Sequence, residues 1–187
     1  MKNIKLLILI CVSLQMLSFS KLSAGVHSNP PSLAKNKNFK VIGYLFSSGD
    51  LLAQSKSLDF SKITHLNIAF INPDSSGSFA EVPNLDALVK KAHEQHVKVI
   101  SALGGGGPPV YLKELIKPEK RKILINGLMQ LLQKYDLDGL DVDLEGDFVD
   151  ENYEAFVVEL SASLKAQHKM MTAAVATWNS AAYSDKS

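Results

Sequence analysis

The ten residues DGLDVDLEGD, 138–147, alternate acidic and apolar side chains in a chain whose net charge is only +1. A period of two is the pattern of a β-strand with two unlike faces. The two faces would carry the apolar residues Leu140, Val142 and Leu144 and the acids Asp141, Asp143, Glu145 and Asp147. Carboxylates this close repel one another, so the arrangement costs stability unless a proton or a partner offsets the charge. The stretch therefore predicts a strand whose acidic face has a function.

This strand belongs to a regular alternation of strand and helix patterns. Five short apolar runs rich in β-forming residues predict strands at 40–46, 63–71, 97–103, 137–145 and 170–178. Helical patterns lie between them and would begin after a capping residue, Asn84, at Pro118 and near Tyr153, whereas any helix in 47–62 would be brief. Such alternation indicates parallel strands joined by right-handed crossovers.

Each of the three predicted helices has one apolar stripe that would face the sheet. The stripes consist of Leu85, Leu88, Val89 and Ala92, of Ile123, Leu124, Leu128, Leu131 and Tyr135, and of Tyr153, Phe156, Val157, Leu160 and Leu164. An open doubly wound sheet and a barrel both fit this pattern. In a barrel the acids of the fourth strand would lie inside and its apolar residues would face the helices. The acidic face therefore favours an α/β fold, an incomplete (β/α)8 TIM barrel of about the first five βα units.

Residues 1–24 predict a secretory signal peptide. Two lysines precede an apolar run at 6–12, which is well short of the ~20 residues of a membrane span, and Ala24 supplies a small residue for cleavage. The Pro-rich stretch 25–38 predicts a linker. The only cysteine, Cys11, lies in the predicted signal peptide, so the mature chain would contain no disulfide. We expect a secreted or extracytoplasmic protein, periplasmic or extracellular, with no membrane association after signal cleavage.

Composition and the remaining motifs argue against several other classes of protein. A net charge near zero gives no support to a nucleic-acid partner, and no Cys/His pair has the spacing of metal ligands. The segment GGGGPP, 104–109, lacks the Lys-Ser/Thr of a phosphate loop and the spacing of a dinucleotide fingerprint. It predicts a tight turn that lets another group approach the backbone. We therefore expect no metal and no cofactor.

Three interpretations of the acidic strand are open. A solvated polar face would be unusual, because a strand between two helices is normally buried on both faces. A calcium loop is suggested by the acids from Asp141 to Asp147 with Gly146 at the sixth place, but the twelfth place is Asn152 instead of a glutamate. Catalysis on a glycosidic bond needs a carboxyl group that keeps its proton to higher pH, which crowding by other carboxylates promotes. Glu145 has the longest reach and lies nearest the C-terminal end of the strand, so it would be the proton donor.

DGLDVDLE, 138–145, resembles the D-G-x-D-x-D-x-E signature of glycoside hydrolase family 18, the chitinases and endo-β-N-acetylglucosaminidases. The match falls on the fourth predicted strand, where that family carries its signature. VIGYLF (41–46), HLNIAF (65–70) and SALGG (101–105) resemble the first three strands of the family. The resemblance covers about residues 40–178 and implies a barrel enzyme without a cofactor.

The resemblance also implies a role for each matched residue. Glu145 would protonate the leaving glycosidic oxygen and later activate water, while the N-acetyl oxygen of the substrate acts as the nucleophile. Asp143 would orient the acetamido group and stabilise the oxazolinium intermediate, and Asp141 would share a proton with Asp143. Asp138 would have a supporting role, placing the strand end. The substrate-binding candidates are Tyr44, Phe46 and Phe70, as the floor of the sugar site, and Gly104 and Gly105 of the third strand.

The sequence departs from the family pattern in three ways. Ala102 stands where the family has a serine that supports the inner aspartates, and Ser101, one place away, should point to the opposite face. Leu144 replaces a tryptophan common in bacterial chitinases, which leaves the substrate undecided. Five strands also leave three βα units missing, with a sixth-strand Tyr and a late-strand Trp that Trp178 would not replace. We therefore expect 39–187 to be a catalytic domain truncated after strand five.

The sequence thus predicts a secreted glycosidase of the chitinase type that hydrolyses β-1,4-linked N-acetylglucosamine glycans, chitin or chitooligosaccharides, by a retaining, substrate-assisted mechanism. Its partner would be a polysaccharide or glycan that contains N-acetylglucosamine. Two alternatives are an endo-β-N-acetylglucosaminidase acting on N-glycans and a catalytically silent, chitinase-like carbohydrate-binding protein. Silent members of the family typically lose the glutamate that is present here as Glu145. The activity of so short a chain is left open.

Overall fold

The computed structural model describes residues 39–175. Five parallel strands form one sheet, in which every strand pairs with the next one along the chain. The strands are β1 (Ile42–Phe46), β2 (His65–Ala69), β3 (Lys98–Gly104), β4 (Gly139–Asp143) and β5 (Met170–Ala173). A doubly wound sheet reverses its strand order at a switch point, whereas barrel strands follow the chain. The sheet is therefore the first part of a (β/α)8 barrel, which confirms the predicted fold class, and the barrel is not closed within the described residues.

The connections between the strands contain five α-helices. They are α1 (Leu51–Gln54), α2 (Leu85–Glu94), α3 (Leu112–Leu115), α4 (Pro118–Lys134) and α5 (Tyr153–Ala166). Helices α2, α4 and α5 confirm the three predicted helices. Pro118 occupies the first position of α4 as expected. The short α1 confirms the prediction of a brief helix in the first connection. The sequence did not predict α3, because four residues are too few to show helical periodicity.

The hydrophobic core lies between the sheet and these helices. The strands contribute their alternate residues, among them Leu66, Ile68, Val99, Leu103, Leu140 and Val142, all fully buried. The helices contribute the predicted stripes, including Leu85, Leu88, Leu124, Leu128, Phe156 and Leu160. Each such side chain contributes about 1.5–3 kcal/mol by leaving water. The core thus fixes which face of every strand points toward the helices, and leaves the other face for the interior of the barrel.

Four strands are shorter than predicted. The first spans Ile42–Phe46 instead of 40–46, and the second spans His65–Ala69 instead of 63–71. The fourth ends at Asp143 and not at 145, because the last residue of β3, Gly104, turns away with a φ of 107° and leaves Leu144 without a partner on that side. Glu145 nevertheless keeps an extended backbone, with φ −122° and ψ 166°. The fifth strand ends at Ala173, and the remainder of the predicted strand beyond 175 lies outside the described residues.

Two side chains on the helices differ from their predicted roles. Asn84 does precede α2, but its φ is 60° and its side chain does not cap the helix. Its amide instead donates to Asp50 Oδ1 at 3.1 Å, the oxygen that caps α1. Ile123 is 51% exposed, because the buried stripe of α4 runs along the neighbouring position, Leu124, and leaves Ile123 at its edge.

The predicted signal peptide (1–24), linker (25–38) and Trp178 lie outside the described residues. Between residues 39 and 175, no helix is both long enough and apolar enough to cross a bilayer.

Candidate active site

The acidic residues of β4 lie on the face of the sheet that points away from the helices. Leu140 and Val142 are fully buried in the core, so the alternate residues Asp141 and Asp143 point to the inner face. Asp141 is level with Ala102 of β3 and Thr172 of β5, and Asp143 is level with Gly104. This register brings residues of distant parts of the chain around the two carboxyl groups.

Asp141 is the buried member of the pair, with 2% of its surface exposed. Its Oδ2 accepts hydrogen bonds from the Tyr44 hydroxyl at 2.8 Å and from Asn67 Nδ2 at 3.1 Å. Its Oδ1 accepts a third from the Thr172 hydroxyl at 2.5 Å. Donors from β1, β2 and β5 therefore converge on one carboxylate, and three hydrogen bonds of this kind stabilise its charged form.

Asp143 lies in a different environment, two residues further along the strand. Partial burial, together with the negative charges of Glu145 and Asp141, raises the pKa of Asp143 to about 6. A carboxyl group with this pKa holds a proton into the mildly acidic range and can donate a hydrogen bond there. The pair therefore combines an acceptor, Asp141, with a group that keeps its proton.

Glu145 follows at the C-terminal end of β4, where parallel barrels place their active sites. Its side chain is partly exposed, and a short 3₁₀ turn, Gly146–Phe148, begins directly after it. Gly146 adopts a φ of 57°, which glycine tolerates without strain. The turn leads the chain away from the strand and leaves Glu145 accessible from the end of the sheet.

Tyr44, predicted to bind sugar, is partly exposed and contacts Asp141 through its hydroxyl. Partial burial, followed by the hydrogen bond to Asp141 and the charge of that residue, raises the pKa of Tyr44 to about 12. The hydroxyl therefore stays protonated and donates to Asp141 at all physiological pH values. The residue is 42% exposed, so one tyrosine can both donate to the carboxylate and present a surface to a ligand.

The other predicted aromatic residues lie close to each other at the end of the inner face. Phe46 is 57% exposed, and its ring packs edge-to-face on that of Phe70 with centroids 6.3 Å apart. The peptide bond between Ala69 and Phe70 is cis. Exposed aromatic faces suit the apolar faces of sugar rings, and the sugar-binding role of these residues stays a prediction.

The predicted glycines of β3 make room for parts of the protein itself. A Cβ atom on Gly104 would lie 2.1 Å from the Asp143 carbonyl oxygen, and one on Gly105 would lie 2.6 Å from the Phe70 ring. Gly105 N also donates to the Asp143 carbonyl oxygen at 2.8 Å. Asn72 fixes this turn, because its side chain accepts from Gly104 N at 2.8 Å and donates to Gly104 O at 3.0 Å. The close approach predicted for this turn is therefore made by Asp143 and Phe70.

Asp138 lies at the opposite end of β4 from Glu145. Its Oδ2 accepts from the backbone N–H of Val99 at 2.8 Å and lies 2.8 Å from Nε2 of His93. Its own N–H donates to Val99 O at 2.7 Å. The carboxyl group thus joins the beginnings of β3 and β4 and the end of α2, away from the other three acids.

Two residues of the site were missed from the sequence, Asn67 and Thr172. Asn67 is 1% exposed in the middle of an apolar strand, which is an unusual place for an amide and could have identified it. Thr172 carries no such signal, because threonine is common in strands. Ser101 points to the core face as predicted, where its hydroxyl has no partner among the described residues. Ala102 occupies the inner face beside Asp141.

The geometry of these acids does not support the interpretation of the segment as a calcium loop. The oxygens of Asp141 are directed at hydrogen-bond donors, and Asn152 lies just before α5. Between residues 39 and 175, no group of three or more His, Cys, Asp or Glu side chains is arranged to hold a metal ion.

Comparisons with known proteins find similarity to one family of glycosyl hydrolases. A sequence profile of glycosyl hydrolases family 18 matches residues 40–186. A family 18 chitinase of Flavobacterium johnsoniae is 34% identical with a TM-score of 0.66, over 73% of this chain and 46% of that one. A chitinase of Bacteroides thetaiotaomicron is 27% identical with a TM-score of 0.61, over 74% of this chain and 48% of that one.

A chitinase-like effector of Moniliophthora roreri is 32% identical over 91 residues, which are 46% of this chain and 22% of that protein. The chain therefore spans less than half the length of each of these three proteins.

Proposed function

Because the chain belongs to glycosyl hydrolases family 18, we propose that its β4 acids form the acid/base site of a glycosidase acting on β-1,4-linked N-acetylglucosamine glycans, chitin or chitooligosaccharides. The observation that carries the proposal is the pairing of an accessible Glu145 with two inner-face aspartates in unequal environments. Asp141 accepts three hydrogen bonds, whereas Asp143 keeps a proton to about pH 6. One strand thus offers a proton donor next to a group that can hold a polar substrate atom.

In the proposed mechanism Glu145 donates its proton to the leaving glycosidic oxygen and then, as a carboxylate, activates the attacking water. The acetamido oxygen of the sugar closes on the anomeric carbon, which explains why the chain needs no second carboxylate as a nucleophile and why configuration is retained. Asp143 accepts a hydrogen bond from the acetamido N–H, which orients that group, and it stabilises the positive oxazolinium. Asp141, which its donors hold in place, shares one proton with Asp143, so the pair does not carry two full negative charges.

The inner face of the sheet is open within residues 39–175, where Tyr44 and Phe46 are 42% and 57% exposed. We therefore propose that turnover needs further barrel strands that cover this face, and that 39–187 is the first part of the catalytic domain. The substrate would meet the protein outside the cytoplasm, by virtue of the signal peptide predicted at 1–24.

A second candidate is carbohydrate binding without turnover. The similarity to a protein described as a chitinase-like effector supports this candidate, as do the exposed rings of Tyr44 and Phe46. The retained Glu145 favours the hydrolase. An endo-β-N-acetylglucosaminidase would use the same acids on the chitobiose core of N-glycans, and the two substrates are compared in the same assay.

The test is hydrolysis of N-acetylglucosamine oligomers and of a chitobiose-core glycan by a form of the protein that includes the further barrel strands, compared with its Glu145→Gln and Asp147→Asn variants. The amide at 145 keeps the shape of the side chain but cannot donate the proton, so we expect a loss of at least about 100-fold in turnover. Binding of the oligomers, followed by calorimetry, should be retained. Asp147 is an exposed acid two residues further on, and its variant should behave as wild type.

Turnover by Glu145→Gln equal to that of the wild type would overturn the assignment of the proton donor. Oligomer binding without hydrolysis of either substrate, in the form that includes the further barrel strands, would favour the carbohydrate-binding candidate.

A further inference from the structure

The hydrogen-bond donors around Asp141 come from strands that the family signature does not include. The signature places Asp141 and Asp143 on β4, but Asn67 lies on β2 and Thr172 on β5. Both side chains donate to Asp141, one to each carboxylate oxygen. Through these two hydrogen bonds, Asn67 and Thr172 act on Asp141 alone.

The amide of Asn67 is oriented at a cost. Its Nδ2 donates to Asp141 Oδ2, while its Oδ1 is buried without a hydrogen-bond partner among the described residues. An unpaired buried acceptor is unfavourable. The opposite orientation would place the amide oxygen against a carboxylate oxygen, which is worse if Asp141 is ionised. In this orientation the amide directs a donor, and not an acceptor, at Asp141.

The hydroxyl of Thr172 supplies what β3 lacks. Ala102 is level with both Asp141 and Ala69, so β3 offers no side-chain donor at this height. Thr172, level with Asp141 on the other side, donates to Oδ1. Ser101, the only hydroxyl of β3, points into the core. The donor beside the carboxylate thus comes from the fifth strand and not from the third.

The groups that face Asp141 can be named from every neighbouring strand. They are Tyr44 of β1, Asn67 of β2, the uncharged Ala102 of β3, Thr172 of β5, and Asp143 with Glu145 further along its own strand. No cation is among them, so hydrogen bonds alone offset the charge. We propose that Asn67 and Thr172 are positioning residues that keep the negative charge on Asp141 and thereby keep the shared proton on Asp143.

This inference rests on the proposed function, because it assigns Asp143 as the protonated group that meets the acetamido group of the substrate. The proton balance is simple: one proton is divided between two carboxyl groups, and each donor removed from Asp141 raises the affinity of Asp141 for that proton. The proton would then be shared more equally, and less of it would remain on Asp143.

The experiment is a titration of the Asp141 and Asp143 carboxyl carbons by ¹³C NMR on the full chain, from about pH 3 to about pH 8, a range that spans carboxyl ionisation. In the wild type the upper of the two steps should appear at Asp143 and the lower at Asp141. In Thr172→Val and Asn67→Leu, the upper step should appear in part at Asp141.

Two matched variants separate this role from a purely structural one. Thr172→Ser keeps the hydroxyl and should titrate as wild type. Ser101→Ala removes a buried hydroxyl that has no partner and points to the other face of the sheet, so it should leave both carbons unchanged. An unchanged titration in folded Thr172→Val and Asn67→Leu would overturn the inference. An upper step at Asp141 in the wild type would overturn it even if neither variant folds.

Activity is measured separately, as the pH profile of hydrolysis of N-acetylglucosamine oligomers. If the wild type hydrolyses nothing even in the form that includes the further barrel strands, the proposed function fails while the titration still decides the inference. If the wild type is active, Thr172→Val should lower kcat by a larger factor than it raises KM. Thr172→Ser should restore kcat.

Discussion

Three carboxyl groups occupy alternate positions of one segment, and their environments separate their properties. Asp141 is buried among three donors, while Asp143 and Glu145 are partly exposed. Like charges at this spacing cannot all be ionised at low cost, and the environment decides which group keeps the proton. Here the three donors reach the innermost acid, Asp141, while burial and the neighbouring carboxylates raise the pKa of Asp143.

The raised pKa of Asp143 makes a prediction about stability against pH. In the unfolded chain the pKa of this carboxyl group is about 3.9. Burial and neighbouring charges raise it to about 6 in the folded protein. Between these values the folded state holds a proton that the unfolded state has lost, so the free energy of unfolding falls as pH rises from about 4 to about 6. The contribution is fully present below the lower value and is lost through the upper one.

Asp143→Asn, which is neutral throughout, should remove this loss. Relative to wild type, the variant should gain stability over the same pH range, on the order of 1 kcal/mol once solvent screening of a half-exposed group is allowed for. Urea unfolding at four pH values measures the difference, and Asp147→Asn is the control that should leave the slope unchanged. A constant difference between Asp143→Asn and wild type across the range would contradict the raised pKa.

At the scale of the elements, the turn after β3 connects the site to the sheet. Gly104 and Gly105 have φ values of 107° and 103°, and both lie against other parts of the protein where a side chain would stand. The amide of Gly105 donates to the carbonyl of Asp143, so the turn fixes the end of β4 directly. The next residue, Gly106, has open space around it.

Alanine substitutions should therefore differ sharply along this turn. Gly104→Ala and Gly105→Ala combine an unfavourable φ with a clash, against a backbone oxygen in the first case, and should each cost at least about 2 kcal/mol. Gly106→Ala should change stability by no more than about 1 kcal/mol and can stabilise through the unfolded chain. Thermal and urea unfolding of the three variants give the comparison. Equal costs at 104 and 106 would show that the turn is not packed as described.

The same elements show how much of the fold could be read from the sequence. Periodicity located five strands and three helices, and the family signature located the acids of β4, because both depend on residues close in sequence. The donors to Asp141 could not be found in this way. Asn67 and Thr172 are 105 positions apart and meet only through the register of four strands. Residue type alone predicts Asn84 as the cap of α2, and it could not show that the side chain donates to Asp50, the cap of a different helix.

For the molecule as a whole, the two ends of the sheet have separate tasks. The C-terminal end carries Asp143, Glu145 and the aromatic residues, whereas the N-terminal end carries Asp138 and His93. In parallel barrels the first end is the site of chemistry and the second contributes stability. Asp138 fits the second task, because it satisfies the backbone N–H of Val99 and lies within hydrogen-bond distance of His93 at the end of α2.

Asp138→Ala should therefore lower stability and leave the chemistry of the site intact. Loss of the carboxylate leaves a backbone donor of β3 unpaired, and we expect a cost of about 1–3 kcal/mol in urea unfolding. Asp136→Asn is the matched control: Asp136 is also near His93, at 3.8 Å, but its side chain is 82% exposed and its φ of 51° suits asparagine. Its effect should stay within about 0.5 kcal/mol.

The decisive comparison is the titration of the Asp143 carboxyl carbon in these two variants. Asp138 is separated from Asp143 by the length of β4, and it is not among the groups that raise the pKa of Asp143. Asp138→Ala should therefore reproduce the wild-type titration at a temperature where it is folded. A shifted Asp143 midpoint in Asp138→Ala, with Asp136→Asn unchanged, would mean that the start of β4 sets the geometry of its end, and the separation of stability from chemistry along the strand would be wrong.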